Sequence, residues 1–219
     1  MNYLTNCFYI NLEKRKDRLV HVTEQLEHMN IPGERFNAVE TKDGAIGCTM
    51  SHIKCLELAK ERGYEHVFIC EDDITFLNPE LLKTNLQRFI DTNVTWDVII
   101  IGGNNCPPYQ TIDDFAIKVG NCQTTTGYIV NKHYLDTLIS NFRESAANLI
   151  KNPANKQMYA LDIYWKRLQQ MHNWFMITPI TVIQVQSYSD IENRVTDYKG
   201  LMLDLEKKWI FEREHMRHF

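Results

Sequence analysis

The chain lacks the features that mark most nucleic-acid-binding, membrane-spanning and zinc-stabilised proteins. Its 219 residues carry 24 Lys or Arg against 28 Asp or Glu, a net charge of −4, so there is no basic excess with which to hold a polyanion. The densest basic cluster, Lys14-Arg15-Lys16 with Arg18, is too short for a nucleic-acid arm and well sized for one phosphate group. No apolar run approaches the roughly 18 residues that a membrane-spanning helix needs, and Met1 to Asn6 lack the basic-then-apolar pattern of a signal peptide. A cytoplasmic address is the simpler expectation, with a secretory lumen as the alternative if the chain is part of a longer protein. The six cysteines include no Cys-x-x-Cys pair and the eight histidines show no metal-ligand spacing, which argues against zinc. The cysteines read as reduced, buried thiols, although an even number leaves a disulfide scaffold open. Linkers, repeats and low-complexity segments are absent too, so residues 1–219 read as one domain.

What is present is ordinary globular composition, 44% hydrophobic and 24% charged. Apolar runs at Cys7–Leu12, Arg35–Val39, Val67–Cys70, Val98–Ile101, Phe115–Val119, Gly127–Val130 and Ile177–Val185 predict strands. Between them, helical spacing follows Asp17 (Leu19, Val22, Leu26, Met29), fills Thr49–Arg62, starts at Pro79 and continues from Asn131 to Phe142. Met158, Leu161, Trp165 and Leu168 suit one more helix, and Leu201 to about Glu214 a charged closing one. Strands alternating with helices make an α/β fold with a mixed, mostly parallel sheet.

Three consecutive carboxylates, Glu71-Asp72-Asp73, stand where the apolar run Val67–Cys70 breaks into a loop. Like charges crowded in a partly desolvated place disfavour ionisation, and a divalent cation held by carboxylate oxygen relieves that. Ligands of open α/β sheets also bind beyond the carboxyl ends of strands. The first strand exits into Asn11 and then Arg15 and Arg18 at the start of a helix, a place that favours anions. Gly44 to His52 reads as a glycine-bearing turn leading into a helix, with Ser51 as its possible cap. Gly102-Gly103 follows a buried strand but lacks dinucleotide-fingerprint spacing. Asp162 is a carboxylate inside an apolar helical stretch, and Ser189-Asp190-Ile191 a short acidic loop. Taken singly, each of these also fits a solvated face, a turn or a cap.

Their order is more specific. Tyr9-x-Asn11-Leu12-x-x-Arg15-x-x-Arg18, then Gly44-x-x-Gly47-Cys48-x-x-Ser51-His52, then Glu71-Asp72-Asp73 after an apolar strand resembles glycosyltransferase family 25. Trp96-Asp97, Gly102-Gly103, Thr126-Gly127-Tyr128 and Ser189-Asp190-Ile191 extend the resemblance over roughly Cys7 to Arg194. It implies a GT-A-type nucleotide-sugar-binding fold, Mn²⁺ (or Mg²⁺) as cofactor, and inverting transfer of galactose or glucose from a UDP-sugar to a hydroxyl on a glycan or polypeptide. It also implies Glu71 and Asp73 as metal ligands. Asn11, Arg15, Arg18, Ser51, Glu71, Asp72, Gly103 and Thr126 would then line the donor site. The general base is expected at Asp162, whose apolar neighbours can raise its pKa, or at Asp190. A nucleotidyltransferase fits less well, because no glycine-rich loop follows the first strand. A non-catalytic nucleotide-sugar-binding or companion domain is the competing reading. No nucleic-acid partner is expected.

Overall fold

Uninterrupted apolar runs become strands covered on both faces, and the amphipathic stretches between them become the covering helices. The computed structural model describes residues 2–189, 191–192 and 194–209. In chain order its elements are β1 (Cys7–Asn11), α1 (Lys16–Met29), β2 (Gly33–Asn37), α2 (Gly44–Glu61), β3 (His66–Glu71), β4 (Ile74–Phe76), α3 (Pro79–Asp91), β5 (Val98–Asn105), β6 (Gln110–Asp113), β7 (Ala116–Lys118) and β8 (Cys122–Asn131). There follow α4 (Leu135–Lys151), α5 (Lys156–Tyr159), α6 (Leu161–Tyr164), α7 (Lys166–Gln169), β9 (Trp174–Ile177), β10 (Val182–Gln184), β11 (Ser187–Ser189), β12 (Arg194–Thr196) and α8 (Lys199–Leu203).

Eight strands pair in the order β2-β1-β3-β8-β5-β9-β7-β6. β1 is parallel to β2 and β3, and β5 to β9. β8 lies antiparallel between β3 and β5, and β7 antiparallel to β9 and β6. Only β7 and β8 therefore run against the rest, giving the mixed, mostly parallel sheet expected of a GT-A-type fold. Two small antiparallel pairs, β4 with β10 and β11 with β12, sit beside it.

Side-chain alternation divides the strands between two cores. Phe8, Ile10, Val67, Ile69, Val98, Ile100, Trp174 and Met176 face one core with Leu56 of α2 and Phe142 of α4. Cys7, Tyr9, Phe68, Cys70, Ile99, Ile101, Phe175 and Ile177 face the other with Leu26 of α1 and Phe89 of α3. The helices after β1 and β3 thus cover one face and the helix after β2 the other, and the carboxyl ends of the parallel neighbours β1 and β3 lie side by side, where ligands of open α/β sheets bind.

Several boundaries differ from those read in the sequence, each for a local reason. α2 begins at Gly44, not Thr49, because the Asp43 carboxylate accepts from the Ala45 amide and caps it. Gly44 to His52 is therefore helix rather than turn. Gly47 is needed for packing: a Cβ there would stand 2.4 Å from the Val39 carbonyl oxygen. The helix ends before Gly63, whose φ of +67° suits glycine. β5 continues through Gly102-Gly103 to Asn105, paired with β8. Asn131 closes β8 and makes no cap, and α4 runs on to Lys151. The helix expected around Trp165 is three short ones, interrupted first where Ala160 is extended (φ −56°, ψ 143°). The strand expected over Ile177–Val185 is divided, β9 ending at Ile177 and β10 beginning at Val182. The closing helix is interrupted after Leu203, where Asp204 turns extended, and Lys208 and Trp209 are helical again; residues 210–219 lie outside the described ones. All six cysteines are free, four of them buried and Cys48 and Cys106 half-buried.

Candidate functional site

A cleft of about 750 Å³ opens at the carboxyl ends of β1 and β3, bordered by Arg15, Arg18, Glu71, Asp72, Asp73 and Asp162 among others. Register explains the meeting of the first two segments: Ile10 pairs with Glu71, so Asn11 ends its strand beside the acidic triplet. Asn11 is buried. Its amide nitrogen donates to Asp72 Oδ2 at 2.7 Å and to the Arg15 carbonyl at 3.1 Å, and its oxygen accepts from Arg35 Nε at 3.0 Å. Asn11 therefore braces Asp72 and has little left to offer a ligand.

Arg18, on the first turn of α1, carries the charge balance of the triplet. One guanidinium nitrogen lies 2.9 Å from Asp72 Oδ1 and 3.2 Å from Asp73 Oδ2. The other donates to Ser187 Oγ at 2.6 Å and the Tyr188 carbonyl at 3.1 Å. Arg15 donates to the same carbonyl at 3.0 Å and pairs with Asp17. The two arginines thus tie the β11–β12 hairpin across the cleft, with Ser189, Ile191 and Glu192 on its border. Asp72 borders the cleft with one oxygen held by Asn11 and the other by Arg18, so it braces the triplet.

Glu71 and Asp73 are differently placed. The β4–β10 pairing and the Val185 amide, which donates to the Asp73 carbonyl at 2.8 Å, bring Gln184 over both. Gln184 Nε2 lies 3.3 Å from Glu71 Oε2 and 3.4 Å from Asp73 Oδ1, so these two oxygens converge on one point. Burial pushes the Asp73 carboxyl up to about 7, and the Glu71 charge adds to that against the pull of Arg18. Burial raises Asp72 too, with Arg18 opposing. Burial also acts upward on Glu71, but the neighbouring His52 imidazole, the Thr125 hydroxyl and Arg18 outweigh it and hold this carboxyl low. A convergent oxygen pair under mutual repulsion fits a hard divalent cation. Gln184 had no signal of its own in the sequence.

Asp162 stands in the cleft at the start of α6, where its Oδ2 accepts from the Thr124 amide at 3.0 Å. Burial raises its carboxyl, opposed by that amide. The other expected donor contacts divide. Ser51 borders the cleft but is fully buried inside α2; its hydroxyl donates to the Gly47 carbonyl and accepts from the Val39 amide, both at 2.8 Å. Gly103 is buried in β5, where a Cβ would meet Cys122 Sγ at 2.8 Å, so its role is packing. Thr126 is fully buried off the cleft, and it is Thr125 that donates to Glu71. Asp190 lies outside the described residues.

Comparison with known proteins bears on the family and the fold. The model of glycosyltransferase family 25 (LPS biosynthesis protein) matches residues 42–162, which include α2, the acidic triplet and Asp162. A putative glycosyltransferase of Haemophilus influenzae is 32% identical over 95 residues, covering 33% of this chain and 34% of that protein. Procollagen galactosyltransferase 2 of Homo sapiens is 25% identical over 161 residues, 57% of this chain and 25% of that protein. The chain spans about a quarter to a third of the length of these curated relatives. Among solved structures, A197 from STIV superposes with a TM-score of 0.50 at 13% identity, over 87% of this chain and 92% of that one, a likeness of fold. No helix among the described residues is long and apolar enough to cross a membrane.

Proposed function

The chain belongs to glycosyltransferase family 25, and from that premise we propose that it moves a hexose, galactose or glucose, from a UDP-sugar to an acceptor hydroxyl with inversion. The observation that carries this reading is the convergence of Glu71 Oε2 and Asp73 Oδ1 on one point of the strand-end cleft, with Asp162 on the same cleft. Glu71 and Asp73 would hold Mn²⁺ or Mg²⁺, with the Gln184 side chain beside them. Bound there, the ion supplies charge neutralisation for a diphosphate leaving group.

The chain's own residues do the remaining work. Arg15 and Arg18 place positive charge at the mouth of the cleft, which favours an anionic donor. Asn11 and Arg18 fix Asp72, and through it the turn that aims Asp73. Asp162 is the general base: the acceptor oxygen attacks the anomeric carbon, the bond to the diphosphate oxygen breaks, and the acceptor proton passes to the Asp162 carboxylate. The Thr124 amide holds that carboxylate in place. Its raised pKa makes it a stronger base than an exposed aspartate.

The test is UDP release from UDP-galactose and UDP-glucose, with and without Mn²⁺, run beside a thermal-shift titration of the same nucleotides. Mn²⁺-dependent release of UDP from one donor is the expected result. Nucleotide binding without release would favour the non-catalytic binding domain, and neither binding nor release would refute the donor site altogether.

A further inference from the structure

Cys48 and His52 are four residues apart on α2, so their side chains leave the helix on one face. That face meets the end of β3. Cys48 Sγ, a His52 ring nitrogen and a Glu71 carboxylate oxygen all lie within 4.8 Å of one another, and all three residues border the cleft. His52 has no exposed surface. Its Nδ1 is paired with the Tyr128 hydroxyl at 2.7 Å, while Nε2 is buried without a hydrogen-bond partner, 3.5 Å from Glu71 Oε1. A buried nitrogen left in this way is unfavourable unless something binds it. Metal-binding imidazoles show the same division, one nitrogen oriented by a hydrogen bond and the other given to the ion.

We propose that Cys48 Sγ, His52 Nε2 and Glu71 Oε1 form a second cation site, selective for a borderline-soft divalent ion such as Zn²⁺. Sulfur and imidazole nitrogen favour such an ion over Mn²⁺ or Mg²⁺, which prefer all-oxygen surroundings. Bond lengths of about 2.0–2.3 Å put tetrahedral zinc ligands roughly 3.3–3.8 Å apart, so the three groups must close by about 1 Å. Glu71, whose side chain is 21% exposed, has the freedom to do so. Three protein ligands leave a fourth position open to the cleft. Binding exchanges the thiol proton of Cys48 for the ion. Asp73 takes no part: Glu71 presents Oε1 to His52 and the Thr125 hydroxyl and Oε2 to Gln184, so its two oxygens serve separate places. The inference therefore does not rest on the transferase reading. It also revises the expectation, drawn from cysteine and histidine spacing, that a zinc site is absent.

Co²⁺ titration of the unmodified protein tests it, because cobalt bound to thiolate has a near-ultraviolet charge-transfer band. The expected result is a saturable band that Zn²⁺ abolishes. Cys48→Ser should lose the band, His52→Gln should weaken Co²⁺ binding at least ~10-fold, and Asp73→Asn should keep it. Should the serine variant fold poorly, protection supplies an independent measure on the unmodified chain: Zn²⁺ should slow alkylation of Cys48, read by peptide mass. No thiolate band, a band that survives Cys48→Ser, loss of the band in Asp73→Asn, or unchanged Cys48 alkylation would each overturn the proposal. Mn²⁺-dependent UDP release with no cobalt–thiolate band would leave the transferase standing and remove this site.

Discussion

Replacing Asp73 by Asn should make the metal-free protein more stable at alkaline pH, although it removes a carboxylate that Arg18 touches. The Asp73 carboxyl is pushed from 3.8 up to about 7 by burial first and the Glu71 charge second, a net result that already includes the attraction of Arg18. The folded protein therefore keeps a proton that the unfolded chain has lost, and its stability must fall as pH rises from about 4 to about 7. At about 1.4 kcal/mol per unit, the whole loss is at most ~4 kcal/mol, of which roughly 2–3 falls between pH 5 and pH 8. Asparagine does not titrate, so Asp73→Asn should lack this part of the slope. Arg18 retains Asp72 at 2.9 Å, so the variant leaves no unpaired guanidinium. Urea denaturation of both proteins in chelator, near pH 5 and again near pH 8, gives the difference directly. The variant should gain roughly 2–3 kcal/mol on the parent across that interval. Mn²⁺ at the higher pH should stabilise the parent and do little for the variant. Parallel stability curves for the two proteins would refute the claim that the triplet is frustrated without a cation.

Other changes probe separate parts of the site. Arg18→Ala leaves Asp72 and Asp73 without their cation and should cost about 3 kcal/mol or more in metal-free urea unfolding. Asp162→Asn should lower turnover by ~10²-fold or more with donor affinity unchanged, since the base acts only in the transition state. In the parent, the rate should fall as acid protonates Asp162, at a pH above the usual aspartate range because burial raises that carboxyl; the variant should lack this limb. Gly47→Ala forces a Cβ to within 2.4 Å of the Val39 carbonyl and should destabilise by about 1–3 kcal/mol, read by thermal denaturation.

How much of this was legible in the sequence depends on the range over which each feature is determined. The acidic triplet could be placed because an uninterrupted apolar run fixes a strand, and the strand's end fixes where the next charges emerge. The α1 arginines could be placed for the same reason, one strand earlier. The glycines misled, since Gly44 and Gly47 suggest a turn only until the Asp43 cap and the approach of Val39 are known. The choice between Thr125 and Thr126 depends on how β8 runs past the end of its pairing with β3 at Gly127, which composition does not show. Gln184 shows the limit most plainly. It lies 111 residues from Asp73 in the chain, and what joins them is a three-residue antiparallel pair with β4 and one hydrogen bond from the Val185 amide to the Asp73 carbonyl. No local pattern encodes that meeting. The same holds for Cys48 and His52: their spacing of four is visible on a helix, but two such groups have no shared purpose until β3 carries Glu71 to them. Local sequence thus reveals where a functional group leaves its own element, and only the pairing of distant strands reveals which groups it faces.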